Sequence, residues 1–214
     1  MFMGLPFARV SPGNDRPRCA RREPRLRDGS GGRAASARYS ANNMTQELRA
    51  AAIRHDGSCD VDALLAEVTE AQRRRGRRVR GLLMAPAASG GDCLVEMVLV
   101  DVDKRDGYLV SQPLGRDSKA CRADPQGFAR ASMVLRSAAT EEPDLVVCNR
   151  FGKLEAEGGG FSAELLEILS RDIPLLTVVS HHLVDDWQRF TGGEAQLLPP
   201  TRAAVDAWLA RTLA

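Results

Sequence analysis

Residues 144–161 read DLVVCNRFGKLEAEGGGF, and the abrupt change of character within them decides the fold. Four apolar residues, Leu145 to Cys148, run straight into a polar, glycine-rich loop holding Asn149, Arg150, Lys153, Glu155 and Glu157. A short apolar run bounded by turn signals is the pattern of a parallel strand covered on both faces. In open α/β sheets, ligands sit just beyond the carboxyl ends of such strands. The stretch therefore predicts a buried strand that delivers side chains to a functional rim.

Outward from it, strand and helix signals alternate. A strand is expected near Arg49 to Arg54, a helix from Val61 to about Arg75 with Leu64, Leu65, Val68 and Ala71 at helical spacing, and a strand at Val79 to Met84. Cys93 to Asp103 and Tyr108 to Gln112 are two strand-like runs joined by a turn with Asp106-Gly107, the signature of a hairpin. Asp124 then caps a helix to about Ala139, with Pro125 in its first turn. Phe161 to Ser170 is helical, Ile173 to Val179 a strand, Leu183 to Phe190 a short helix and Ala195 to Leu198 a last strand. Beyond Pro199 and Pro200, Val205, Trp208, Leu209 and Leu213 share one face of a final helix. Helices interleaved with apolar strands imply an α/β fold: a mostly parallel sheet between two helical layers, with an antiparallel hairpin.

The chain has 214 residues, 43% of them apolar, enough for one good core. The longest apolar stretch, Ile173 to Val179, has strand length, so no membrane insertion is expected. Five widely spread cysteines without a CxxC pair argue against a disulfide framework or a zinc ribbon and fit a reducing cytoplasm. The net charge of +2 belongs to residues 1–43, which carry nine Arg against three acids; the remainder has 21 Lys and Arg against 25 acids. That arm is rich in Arg, Gly, Ser and Pro and lacks periodicity, the composition of a disordered tail. Met44 opens MTQELRAAAI just before the first strand, so a single domain over 44–214 preceded by a misassigned start accounts for it. No clear nucleic-acid partner follows from the arm.

The first strand-to-helix junction, HDGSCDVD at 55–62, lies where a phosphate-binding loop would sit, making Gly57 and Ser58 candidate ligand contacts. A working P-loop needs several glycines, a Lys and a Ser/Thr hydroxyl for Mg²⁺. This junction has one Gly, no Lys and two acids, Asp60 and Asp62, at the helix start, where carboxylates complement the helix dipole or cap it.

In the loop after Cys148, Arg150 and Lys153 offer donors to an oxyanion, and Asn149 can donate or accept. Glu155 and Glu157 could act as a base towards water, or merely pair with nearby basic groups. Gly158 to Gly160 read as a flexible helix entry. A second loop, GRDSKACR at 115–122, adds Arg116, Ser118 and Lys119 as anion contacts, and Cys121 there is read as a packing residue. His181 and His182, with Asp185 and Asp186 behind them, lack a third distant ligand, so no metal site is assigned.

The order of these features resembles an uncharacterised bacterial family of unknown function. It runs from the Gly57 loop and RVRGLLM at 78–84, through SQPLG at 111–115 and the Cys121-Arg122-Ala123-Asp124 helix start, to NRFGKLEAEGGGF. Members of that family are often named nucleoside-triphosphatase-like and linked with molybdate transport or molybdenum enzymes. The resemblance covers Ala50 to about Leu213. A more distant similarity is to small P-loop nucleoside triphosphatases with a DEIGPMEL-like block; on that matching Gly152 and Glu155 keep the pattern, while Asn149 and Arg150 stand in place of the acidic pair. The resemblance implies a P-loop NTPase-like fold with a degenerate phosphate loop. The expected function is binding of a nucleotide or small oxyanion, with Mg²⁺ as companion to a nucleotide and an oligomer left open. The rival readings are a nucleoside-triphosphate hydrolase using Glu155 or Glu157, and a protein-interaction module.

Overall fold

A computed structural model describes residues 48–85, 96–112 and 123–214, all within the unit Asn43–Ala214. The basic arm, Cys93, and the 113–122 segment with Arg116, Ser118, Lys119 and Cys121 lie outside the described residues.

The elements follow the alternation seen in the sequence. They are β1 (Ala50–His55), α1 (Val61–Arg74), β2 (Val79–Met84), β3 (Val98–Asp101), β4 (Gly107–Leu109), α2 (Pro125–Glu141), β5 (Leu145–Cys148), α3 (Lys153–Ala156), α4 (Ser162–Ser170), β6 (Leu175–Ser180), α5 (Val184–Phe190), β7 (Gln196–Leu198) and α6 (Arg202–Thr212), with a 3₁₀ turn at His181–Leu183. The strands form one seven-stranded sheet in the order β4-β3-β2-β5-β6-β1-β7. Pairing is parallel from β2 to β7 across the sheet, and antiparallel where β3 and β4 extend its edge beyond β2. This is the three-layer, mostly parallel α/β architecture of P-loop NTPase-like type, with its antiparallel hairpin.

The continuous apolar runs are explained by two cores, one on each face. Successive strand residues point to opposite faces, so Ala50, Ala52, Val146, Cys148, Leu175 and Val179 enter the core under α2, α4 and α5. Ala51, Ile53, Leu145, Val147, Leu176 and Val178 enter the core under α1 and α6. Each fully buried large aliphatic stabilises by about 1.5–3 kcal/mol. A polar residue in β5 or β6 is penalised on whichever face it falls, a cost carried by Thr177 in β6, which is wholly buried with its hydroxyl unpartnered.

Local signals place the helices. Asp60 Oδ1 accepts from Ala63 N at 2.9 Å and caps α1, and Asp124 Oδ1 accepts from Gln126 N at 3.0 Å ahead of Pro125. Three details differ from the sequence reading. The hairpin turn is made by Asp101 Oδ1, which accepts from Asp103 N at 2.7 Å, with Arg105 at φ 65°; Gly107 already belongs to β4. The second hairpin strand is short, Gly107–Leu109, and Ser111 beyond it bridges Ala123 beside α2. The loop after β5 is not uniformly irregular, since it encloses the single-turn helix α3.

Gly81, in the middle of β2, has φ 123°, and a Cβ there would lie 1.8 Å from Val147 O on the neighbouring strand. No other residue type fits that contact between β2 and β5.

Candidate functional site

The carboxyl ends of the parallel strands present two junctions side by side. After β1 the chain runs through α1 towards β2, whereas after β6 it runs through α5 to β7 on the other side of β1. The adjacent strands β6 and β1 thus form the topological switch point, where α/β sheets open a crevice. His55 and Ser180 face each other in register there.

The β1–α1 junction satisfies its own carboxylates. Asp56 Oδ1 accepts from Ser58 N at 2.9 Å, and Ser58 holds the Asp56 carboxyl below its usual range. Gly57 supplies the positive φ of 89° for this tight turn, and both Gly57 and Ser58 are exposed. Asp60 caps α1, and Asp62 in the first helical turn accepts two hydrogen bonds, at 3.0 and 3.1 Å, from Arg150 Nη2. That pair is 39% and 34% exposed, so its stabilisation is at most about 1 kcal/mol. It matters as placement: it brings the Arg150 guanidinium to the first turn of α1. His55 lies beside it with Nε2 buried and unpartnered, and its pKa is lowered by burial and then by Arg150, against the pull of Asp62 and Asp56.

The β5 junction is arranged differently. Its apolar run ends at Cys148, whose wholly buried thiol is pushed up to about 12, chiefly by burial, so it is neutral and inert. Pairing with β6 then resumes at Phe151, which bridges Val179 while its N–H donates to Val178 O at 2.9 Å. From Val147 to Phe151 β5 advances four residues while β6 advances three, from Leu176 to Val179. The extra residue is accommodated at Asn149 and Arg150 as a bulge, the device that re-aims side chains next to functional sites. Phe151 is anchored against Trp187 and Phe190, with ring centroids at 5.2 and 5.1 Å.

Glu155 closes the loop that follows. It is 5% exposed; its Oε2 accepts from Gly152 N at 2.9 Å and its Oε1 from Phe161 N at 3.0 Å. The first bond is half of a capping box for α3. The second ties the far end of the glycine run to the start of α4. Gly160, at φ 54°, is required here, since a Cβ would come 2.0 Å from Glu155 Oε1. The carboxylate thus serves backbone amides with both oxygens. Glu157 is exposed and meets Lys153 Nζ at 3.6 Å; Lys153 is 81% exposed, so this pair fixes little.

Asn149 is the least satisfied member. It is 5% exposed, and its Oδ1 is buried without a hydrogen-bond partner, as is Arg150 Nε. Such an orphaned group costs about 1–3 kcal/mol and calls for a partner. Both residues line a cavity of about 300 Å³, together with Met84, Met97, Leu99, Val110, Phe128 and Phe161 and the Gly152–Glu155 turn. This cavity was not legible in the sequence, because its walls come from five separate stretches of chain.

The candidate residues therefore separate into groups. Asn149, Arg150, Gly152, Lys153 and Glu155 share the wall of one cavity, while Gly57 and Ser58 belong to the neighbouring junction, joined to it through Arg150 and Asp62. His181 and His182 stack on each other at 3.6 Å, and among the described residues no group of three His, Cys, Asp or Glu is arranged to hold a metal ion. Among the described residues, the position that the resemblance gives to a metal-holding acid carries Arg150, a positive charge engaged by Asp62. A second hollow of about 400 Å³ lies at the opposite end of β2, among Arg73, Arg74, Arg77, Arg78 and Arg80. Four of these guanidinium groups are engaged, Arg80 by Asp103 and Glu141, Arg73 by Glu70, Arg78 by the carbonyls of Glu141 and Glu142, and Arg77 by the carbonyl of Leu213.

A family model described as a protein of unknown function (DUF2478) matches residues 50–208. Among curated proteins, the Molybdenum import ATP-binding protein ModC 2 of Bradyrhizobium diazoefficiens is 36% identical over 160 residues. Those residues are 75% of this chain but 18% of that relative, so the chain corresponds to a minor part of a much longer protein. No solved structure matches. Among the described residues, no helix is long and apolar enough to cross a membrane.

Proposed function

The chain belongs to the DUF2478 family, whose function is unknown, and from that premise we propose that it is a ligand-binding protein of degenerate P-loop type. It takes a nucleotide or a small oxyanion at the carboxyl-end rim and does not hydrolyse triphosphates. The observation that carries the reading is the Arg150–Asp62 pair: an arginine from the β5 bulge is brought to the first turn of α1 and held there by a carboxylate. Hydrolysis in this architecture needs a lysine, a metal-holding acid and a free base. Here Glu155 has both oxygens engaged by backbone amides, and Glu157 stands exposed beside Lys153.

Binding is supported by Lys153, whose side chain is 81% exposed, and by the Arg150 guanidinium, whose one ionic partner among the described residues is Asp62. An anion would compete with Asp62 for the guanidinium, so the ion pair acts as the resident stand-in for the ligand. A molybdenum-related role is suggested by the name of the relative alone.

Thermal shift and calorimetry with ATP, ADP, phosphate and molybdate, each with and without Mg²⁺, test the reading. An anion at 100 times its Kd stabilises by about 2.7 kcal/mol, and Arg150→Ala abolishes the shift without any metal requirement. Mg²⁺-dependent phosphate release that Glu155→Gln removes would overturn the reading in favour of the hydrolase.

A further inference from the structure

We infer that the cavity beside β5 receives a flat, uncharged nitrogen heterocycle of nucleobase kind, read by Asn149. The inference deepens the proposed function and rests on the rim being a ligand site.

At about 300 Å³ the cavity stands at the small end of small-molecule pockets, with room for a ring system rather than a chain. Its apolar walls suit a planar aromatic guest: Met84 and Met97 offer polarizable sulfur, and Phe128 and Phe161, tilted against each other at 5.0 Å, close one side. A bare oxyanion gains nothing from such walls. A hydrocarbon leaves the buried Asn149 Oδ1 as unmatched as before. A ring edge with an N–H next to an acceptor nitrogen or carbonyl can pair with the Asn149 amide, as amide side chains do when they read bases. The bulge gives the arrangement its purpose, because without the extra residue the side chain at this position would follow the strand alternation into the core.

The test measures binding of free adenosine, guanosine, cytidine and uridine, which carry no phosphate, by saturation-transfer NMR and calorimetry on the full chain. Phosphate and molybdate are titrated separately. At least one nucleoside should bind wild type, and Asn149→Leu should weaken it at least about tenfold, the scale of one well-placed hydrogen bond to a base edge. Asn149→Leu should melt no lower than wild type, because it removes a buried amide oxygen that has no partner. Met97→Trp, which fills the cavity from its rim, should block the nucleoside while leaving any oxyanion affinity intact. Nucleoside binding equal in wild type and both variants overturns the inference. So does binding of phosphate or molybdate with no nucleoside bound, an outcome that leaves the proposed function standing. If no probe binds at all, both fall.

Discussion

The two junctions at the carboxyl end of the sheet, after β1 and after β5, have similar roles in the chain and opposite polar economies. After β1, three carboxylates find donors within the protein: Asp56 in Ser58, Asp60 in Ala63 and Asp62 in Arg150. After β5, the backbone is held by Glu155, yet Asn149 Oδ1 and Arg150 Nε are left buried without partners. A native chain keeps few such orphans, because each one destabilises the fold. On the proposed reading this difference favours binding at β5, although β1 too ends in an orphan, His55 Nε2; an ordinary P-loop protein instead grips phosphate at the first junction.

The sharpest way to break this contrast is to remove the Glu155 clasp. Glu155→Ala leaves Gly152 N and Phe161 N without their charged acceptor and should cost roughly 3 kcal/mol, lowering the melting temperature by roughly 10 °C. An unchanged melting curve would mean the loop is not held by that carboxylate. Gly160→Ala attacks the same clasp from the other side. With φ 54° and the clash against Glu155 Oε1, it should lose about 2 kcal/mol, measurable by urea denaturation. At the β1 junction, Asp60→Ala removes a single cap and should cost about 1 kcal/mol. A loss equal to that of Glu155→Ala would erase the asymmetry. Asp62→Ala should change stability by less than about 1 kcal/mol while raising anion affinity in calorimetry, since Arg150 is then released.

The smallest effect is a pH dependence. Because burial and Arg150 lower the His55 pKa from 6.5, the unfolded chain binds the extra proton below that pH, and stability rises with pH through that window. His55 therefore contributes a loss of stability as pH falls below about 6.5 and none above it. His55→Asn should flatten the melting temperature between about pH 7 and pH 5 relative to wild type; an unaltered slope would assign the acid sensitivity elsewhere.

Much of the fold was legible because its determinants are local. Apolar runs doubly buried in β5 and β6, the Asp124-Pro125 helix start and the Pro199-Pro200 break before α6 announce themselves within a few residues. The site was legible only in part. The run Gly158 to Gly160 reads as freedom, whereas Gly160 is required by a carboxylate five residues back. A helix of four residues, KLEA, is too short for periodicity to register, though Glu155 three residues after Gly152 carried half of a capping-box signal. The partnership of Arg150 with Asp62 spans 88 positions and has no local trace. The missing partner of Asn149 Oδ1 is a property of the whole fold around it and likewise has no local trace.

The bulge has one more consequence, in conformational entropy. Asn149 and Arg150 lie between two fastened points, the Cys148 end of β5 on one side and Phe151, hydrogen-bonded to Val178 and packed on Trp187, on the other. A guest that reaches them finds a receptor already ordered and loses little in freezing it. Association at this arch should then be governed by shape and edge complementarity alone, with a rapid on-rate and little of the heat-capacity signature that accompanies a loop folding around its ligand.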